Sequence, residues 1–116
     1  MHVVRFDAAP PYAAPGHKGM RMVRLQGREA GPADLVWLGV STIEPGGGAA
    51  LSASEVEKMY VVLDGEVTLS NGETEIRLGP LDSCRIAPRE GRILRNDTRA
   101  VARILLAMPF APTPAR

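Results

Sequence analysis

Apolar and polar positions alternate in short runs along most of this chain, and Pro, Gly or Asn closes nearly every run. Residues 20–25, 58–63, 66–70, 73–78, 83–87, 92–95 and 101–108 each read as a β-strand on that basis. Residues 34–43, "DLVWLGVSTI", are apolar on both alternating faces, which predicts a strand covered on both sides. Asp64-Gly65 and Asn71-Gly72 stand between apolar runs and predict two hairpin turns, because Asx-Gly supplies the positive φ a tight turn needs. Ten prolines spread along the chain leave no room for a long helix. Many short strands at regular spacing predict an all-β barrel or sandwich, and a barrel of this size can close around one small-molecule cavity.

Composition narrows the picture. The 116 residues suffice for one small domain with its own core, and 45% hydrophobic residues exclude a wholly disordered chain. We divide the chain into a Pro/Ala-rich, extended N-terminal arm (1–19), a barrel (20–109) and a flexible tail (110–116). The net charge of +1 gives no general attraction to nucleic acid or acidic lipid, the arginines are scattered, and aromatics make up 4%. No nucleic-acid partner is expected. No apolar run reaches the ~18 residues of a membrane helix, and the charged, proline-containing N-terminus is unlike a signal peptide, so no membrane partner is expected either. One cysteine, Cys84, allows no intramolecular disulfide and fits a reducing, cytoplasmic setting.

Two stretches carry a resemblance. Residues 45–67, "PGGGAALSASEVEKMYVVLDGEV", resemble the first motif of the cupins, and residues 79–96, "GPLDSCRIAPREGRILRN", resemble the second. The likeness implies an all-β fold: a single double-stranded β-helix (cupin, RmlC-like) barrel. Cupins of this length often dimerise through an outer sheet, so the resemblance implies a homodimer, with strand 34–43 supplying the face and the arm reaching across. Typical cupins also hold a metal through two histidines and a glutamate in the first motif and a histidine in the second. Anchored on Gly65, those first-motif positions fall on Ser52, Ser54 and Lys58, or with a spacer one residue longer the histidine positions fall on Leu51 and Ala53, no better as ligands; anchored on Pro88 and Asn96, the last falls on Arg92.

Those replacements oppose the family's usual chemistry. Serine hydroxyl is a poor ligand for first-row metals, arginine has no lone pair to give, and lysine must first lose its proton. No metal and no cofactor are expected. Lys58 and Arg92 together carry +2, and arginine's planar fork suits a carboxylate or phosphate. The leading expectation is therefore a metal-independent barrel binding a small anionic molecule through Lys58 and Arg92, with Ser52, Ser54 and Tyr60 as a polar wall. Tyr60 shares strand parity with Lys58 and points the same way. His17, in "PGHKGM", would be the best general base if it folded over the barrel mouth.

Each candidate has a plainer reading. Lys58 can snorkel to the mouth, Arg92 can pair with Glu90 or Glu57, the serines can be turn residues, Tyr60 can be core, and His17 can be solvated. Cys84, Met20, Met22, Met59 and Trp37 read as packing or interface residues. Whether the protein is an enzyme stays open. A second functional reading is a metal-free isomerase or lyase acting on a carboxylate or sugar-derived substrate, with Lys58 as base or Schiff-base former. A third is a degenerate cupin serving as an interaction module, its barrel filled by side chains.

Overall fold

The computed structural model describes residues 1–111. Nine strands follow one another, β1 (Pro11–Tyr12), β2 (His17–Gln26), β3 (Val36–Ser52), β4 (Lys58–Asp64), β5 (Val67–Ser70), β6 (Glu75–Leu78), β7 (Ser83–Ile86), β8 (Arg92–Arg95) and β9 (Ala102–Pro109), with single 3-10 turns at Phe6–Ala8 and Arg28–Ala30. The order across the sheet is β6-β5-β8-β3-β9-β4-β7, with β2 also on β3 and β1 on β2, and every pairing is antiparallel. The result is a nearly closed all-β barrel, as the alternation predicts.

Alternation decides which side chains face inward. In β4, Lys58, Tyr60 and Val62 are buried while Met59 and Leu63 are exposed. Ala102 and Ile104 of β9 and Ile43 of β3 complete the same layer. Tyr60, Val62, Ile43, Ala102 and Ile104 join Val67, Leu69, Leu78 and Ile86 in one core cluster. Each such large side chain removed from water contributes about 1.5–3 kcal/mol.

The long strand β3 serves both ends of the barrel, pairing with β9 through residues 36–43 and with β8 through residues 48–52. Sequence patterning stops this strand at residue 43, because Pro45 and three glycines follow. The chain instead bends through Gly46, whose φ is 80°, and continues. Gly48 lies so close to β8 that a Cβ there would overlap the Leu94 carbonyl oxygen. Asn96 locks the same corner. It is wholly buried, donates to the Ile43 carbonyl (3.0 Å) and the Ala100 carbonyl (2.8 Å), and accepts from Thr98 N (3.0 Å) and Thr98 Oγ1 (2.7 Å).

One predicted hairpin forms and one does not. Asn71-Gly72 joins β5 to β6, with Ser70 opposite Glu75. Asp64-Gly65 does not join β4 to β5. β4 pairs with β9 and β7, and β5 with β6 and β8, so this turn carries the chain across the barrel. The dipeptide makes the turn, with Gly65 at φ 75°, but tertiary contact selects the partner. Gly65 packs against Val101 and Ala102 so closely that a Cβ would come within 2.7 Å of the Val101 carbonyl oxygen.

The N-terminal segment lies on its own barrel. His2 Nε2 is 2.7 Å from the Ala30 carbonyl oxygen, the Arg103 guanidinium sits 5.1 Å from the Phe6 ring centre, and β1 adds to the edge of β2. β2 begins at His17, within the stretch read as arm. The predicted tail falls outside the described residues apart from Phe110 and Ala111.

Candidate functional site

Beside the packed cluster, and sharing Tyr60, Leu94 and Ile104 with it, the barrel holds a cavity of about 380 Å³. All six candidate residues, Lys58, Arg92, Ser52, Ser54, Tyr60 and His17, line it. Lys58 opens β4, Arg92 opens β8 and Ser52 ends β3, and the pairing of Ser52 with Arg92 joins the two motifs.

Arg92 is 3% exposed. Its two terminal nitrogens donate to the Ala50 carbonyl (3.0 Å) and to Ser52 Oγ (3.0 Å). Its Nε–H is buried without a partner. Lys58 is 7% exposed. Neither cation has a carboxylate partner among the described residues. The pairing of Arg92 with Glu57 or Glu90 does not form: Glu57 bonds Arg85, while Glu90 accepts from Asn71 Nδ2 (3.1 Å) and Ala87 N (2.9 Å). Burial, and after it the Arg92 guanidinium, pulls the Lys58 amine down from 10.5 to about 8. Burial pushes the Tyr60 phenol up, against the opposing pull of Arg92.

The other candidates divide. Ser52 sits exposed at the mouth and accepts from Arg92. Ser54 donates to the Val56 carbonyl at 2.6 Å, so its proton is committed to a local turn and only its lone pairs face the cavity. His17 reaches the wall, with Nδ1 2.8 Å from the Pro15 carbonyl oxygen. When Nδ1 carries the proton in that bond, Nε2 is left as an acceptor. Cys84 packs against the core away from this cavity, and burial raises its thiol pKa.

The wall also contains Met20 and Met22, read from the sequence as packing residues, and Arg24, Met108 and Tyr12, which the sequence did not single out. Met20, Met22 and Arg24 form an inward row at every second position of β2, Met108 continues β9, and Tyr12 comes from the arm. Trp37, read above as packing, is 6% exposed and also lines the cavity. Extending the alternation of β2 by two residues exposes the Arg24 signal. Tyr12 has none, because its position depends on where the arm docks.

The donor set does not fit a transition metal. At the four positions that the motif resemblance assigns to metal ligands stand two hydroxyls and two cations, one of the hydroxyls already taken by Arg92. No group of three or more His, Cys, Asp or Glu side chains among the described residues is placed to hold a metal ion.

An antiparallel barrel with its pocket at one end, framed by these two motifs, defines a small cupin. Residues 39–108 match the Cupin_2 family, described as a cupin domain, and the chain belongs to that family. Over 113 residues it is 41% identical to the beta-D-galactosidase Rv1717 of Mycobacterium tuberculosis, covering 96% of this chain and 97% of that protein. Among solved structures it resembles the polyketide cyclase RemF from Streptomyces resistomycificus (TM-score 0.83, 22% identity, 94% of this chain and 79% of that one). It also resembles a predicted oxalate decarboxylase from Thermotoga maritima (TM-score 0.80, 20% identity, 96% and 100%) and an RmlC-like cupin from Shewanella frigidimarina (TM-score 0.78, 14% identity, 96% and 92%). At these identities the likeness to solved structures is one of fold. Among the described residues, no helix is long and apolar enough to cross a membrane.

Proposed function

We propose that this protein binds a small anionic organic molecule in its barrel without the help of a transition metal. One observation carries the reading: two nearly solvent-excluded cations, Lys58 and Arg92, share a cavity wall that contains no Asp or Glu. Uncompensated buried charge is costly, and a site that keeps two such groups is explained by a counter-ion that arrives as ligand. Arg92 is held by Ala50 and Ser52 before any ligand enters, so little is lost in ordering it. A filled barrel serving only as an interaction module does not agree with a cavity of about 380 Å³.

The test is a thermal-shift screen of acetate, phosphate and sugar acids on protein purified without chelator or nickel resin, since a native-state ligand raises the melting temperature. Hits should appear for the wild type and vanish in the Lys58→Met, Arg92→Met double variant. A full equivalent of bound transition metal would overturn the reading.

The whole-length relative favours a second reading, cleavage of a β-galactoside. Most glycosidases flank the bond with two carboxyl groups, and none lines this cavity. Proton transfer would fall instead to Lys58, Tyr60 or His17. Release of nitrophenol from a nitrophenyl β-galactoside, lost in Lys58→Met, would establish this reading over the first. A rate unchanged in that variant would dismiss Lys58 as its acid–base group.

A further inference from the structure

The Lys58–Arg92 pair occupies one side of the cavity, and the opposite side is built quite differently. The Arg24 guanidinium lies 3.5 Å from the Tyr12 ring centre and 4.2 Å from that of Trp37, and the two rings meet edge to face at 5.9 Å. Its Nε donates to Glu29 Oε1 at 3.1 Å. Its terminal nitrogens make no hydrogen bond among the described residues, although Arg24, Tyr12 and Trp37 all line the cavity. Cation–π contact on both rings fixes the guanidinium plane.

Strand register places the two sides relative to one another. Met59 pairs with Ala107, Trp37 with Met108, and Arg24 with Gly39. Lys58 and Arg24 therefore stand at the same end of the barrel on β4 and β2, with β9 and β3 between them. Three strand spacings span about 14 Å along the sheet, and less across its curve. Leu106 and Met108 of β9 line the wall between, and Met20 and Met22 line it beside Arg24 on β2, so three of the five methionines in the chain face this cavity. Thioether side chains adapt to flat apolar surfaces and favour contact with aromatic rings, and they offer hydroxyls almost nothing. At about 380 Å³ the cavity lies near the lower end of the ~300–1,000 Å³ typical of ligand sites, room for one ring and a short side chain.

Charge orients the occupant. Glu29 already neutralises Arg24, whereas Lys58 and Arg92 have no carboxylate partner among the described residues. We infer that the ligand is a single-ring aromatic carboxylic acid, its carboxylate at Lys58 and Arg92, its ring on the methionine wall, and a ring oxygen such as a phenol at Arg24. This rests on the anion-binding reading above and narrows it to a ligand class, making Arg24 a specificity-determining residue.

Trp37 is the only tryptophan in the chain and sits in the wall, so its emission reports occupancy. Acetate, phenylacetate, 4-hydroxyphenylacetate and galacturonate are titrated against the full chain, with calorimetry as a second readout. Phenylacetate should bind at least about tenfold more tightly than acetate, from burial of the ring. The phenol should add about threefold to tenfold more, an advantage that Arg24→Gln removes while leaving phenylacetate within about twofold. Galacturonate binding as tightly as phenylacetate, or a phenol advantage that survives in Arg24→Gln, would overturn the inference. If acetate and galacturonate bind through Lys58 and Arg92 without any preference for the ring, this inference fails and the anion site stands. If no acid binds, both fail. Should Arg24→Gln not fold, the ranking of the four acids on the wild type decides the matter.

Discussion

Replacing Lys58 with methionine should make this protein more stable, because the residue that best marks the site is also its largest electrostatic burden. Met keeps the length of the apolar stem and removes the charge. Lys58 is 7% exposed, has no carboxylate partner among the described residues and has its amine pulled from 10.5 to about 8. At about 1.4 kcal/mol per pH unit, that displacement sets a ceiling of about 3.5 kcal/mol on the cost of keeping the ammonium at neutral pH. Water in the open cavity screens part of it, so the expected gain at pH 7 is about 1–3 kcal/mol. The sign with pH follows. Below pH 8 the amine is protonated in both folded and unfolded chains, and the whole penalty is present. Between pH 8 and 10.5 the unfolded chain binds the extra proton, so the wild type gains stability as pH rises. The gap between variant and wild type should therefore close across that window. Urea denaturation of both proteins from pH 6.5 to 10, compared as a difference so that the tyrosines and Cys84 cancel, measures it. A gap that is flat with pH, or a variant less stable than wild type at pH 7, would refute the picture of a buried, unpaired Lys58.

Other outcomes follow from the same coordinates. Anion affinity should hold below pH 8 and fall by up to about tenfold per pH unit above it, as Lys58 loses its proton before ligand arrives; calorimetry at pH 7 and 9 reads this. At pH 8 the same titration in two buffers of different ionisation enthalpy should show proton uptake, since a bound anion restores the ammonium. Asn96→Ala should cost about 1–3 kcal/mol, because it strips the buried Ile43 carbonyl of its side-chain donor and the Ala100 carbonyl of one of its two; urea denaturation measures the loss. Gly48→Ala should cost about 3 kcal/mol or more and displace β8, and with it Arg92, since the new Cβ meets the Leu94 carbonyl; its anion affinity should drop even where the fold survives.

Alternation alone was enough to place most strands and to pick the inward face of β4, because period-2 burial is a local property of an extended chain. The motif spacing was enough to gather Lys58, Arg92, Ser52, Ser54 and Tyr60 around one cavity, because fixed offsets from Gly65, Pro88 and Asn96 stand for fixed positions on the barrel. Local signals failed where contact between distant segments took over. The glycines after Pro45 read as a break, yet they form the bend that lets β3 serve both ends of the barrel. Asp64-Gly65 made its turn but not its hairpin, since turn chemistry says nothing about which strand lies alongside. Likewise, Glu57 and Glu90 are near Arg92 in sequence logic but bond Arg85 and Asn71 in space.

What the amino-acid order determined by itself is the barrel and its inward rows, both of which depend on residue type at fixed spacing. Only the tertiary structure decided that the two cations find no carboxylate among the described residues, that His17 reaches the wall, and that Arg24 is clasped by Tyr12 and Trp37. The physical reason is that charge compensation, solvent exclusion and stacking depend on distances between segments far apart in the chain. Tyr12 and Trp37 come within 5.9 Å of one another only because the arm docks on β2.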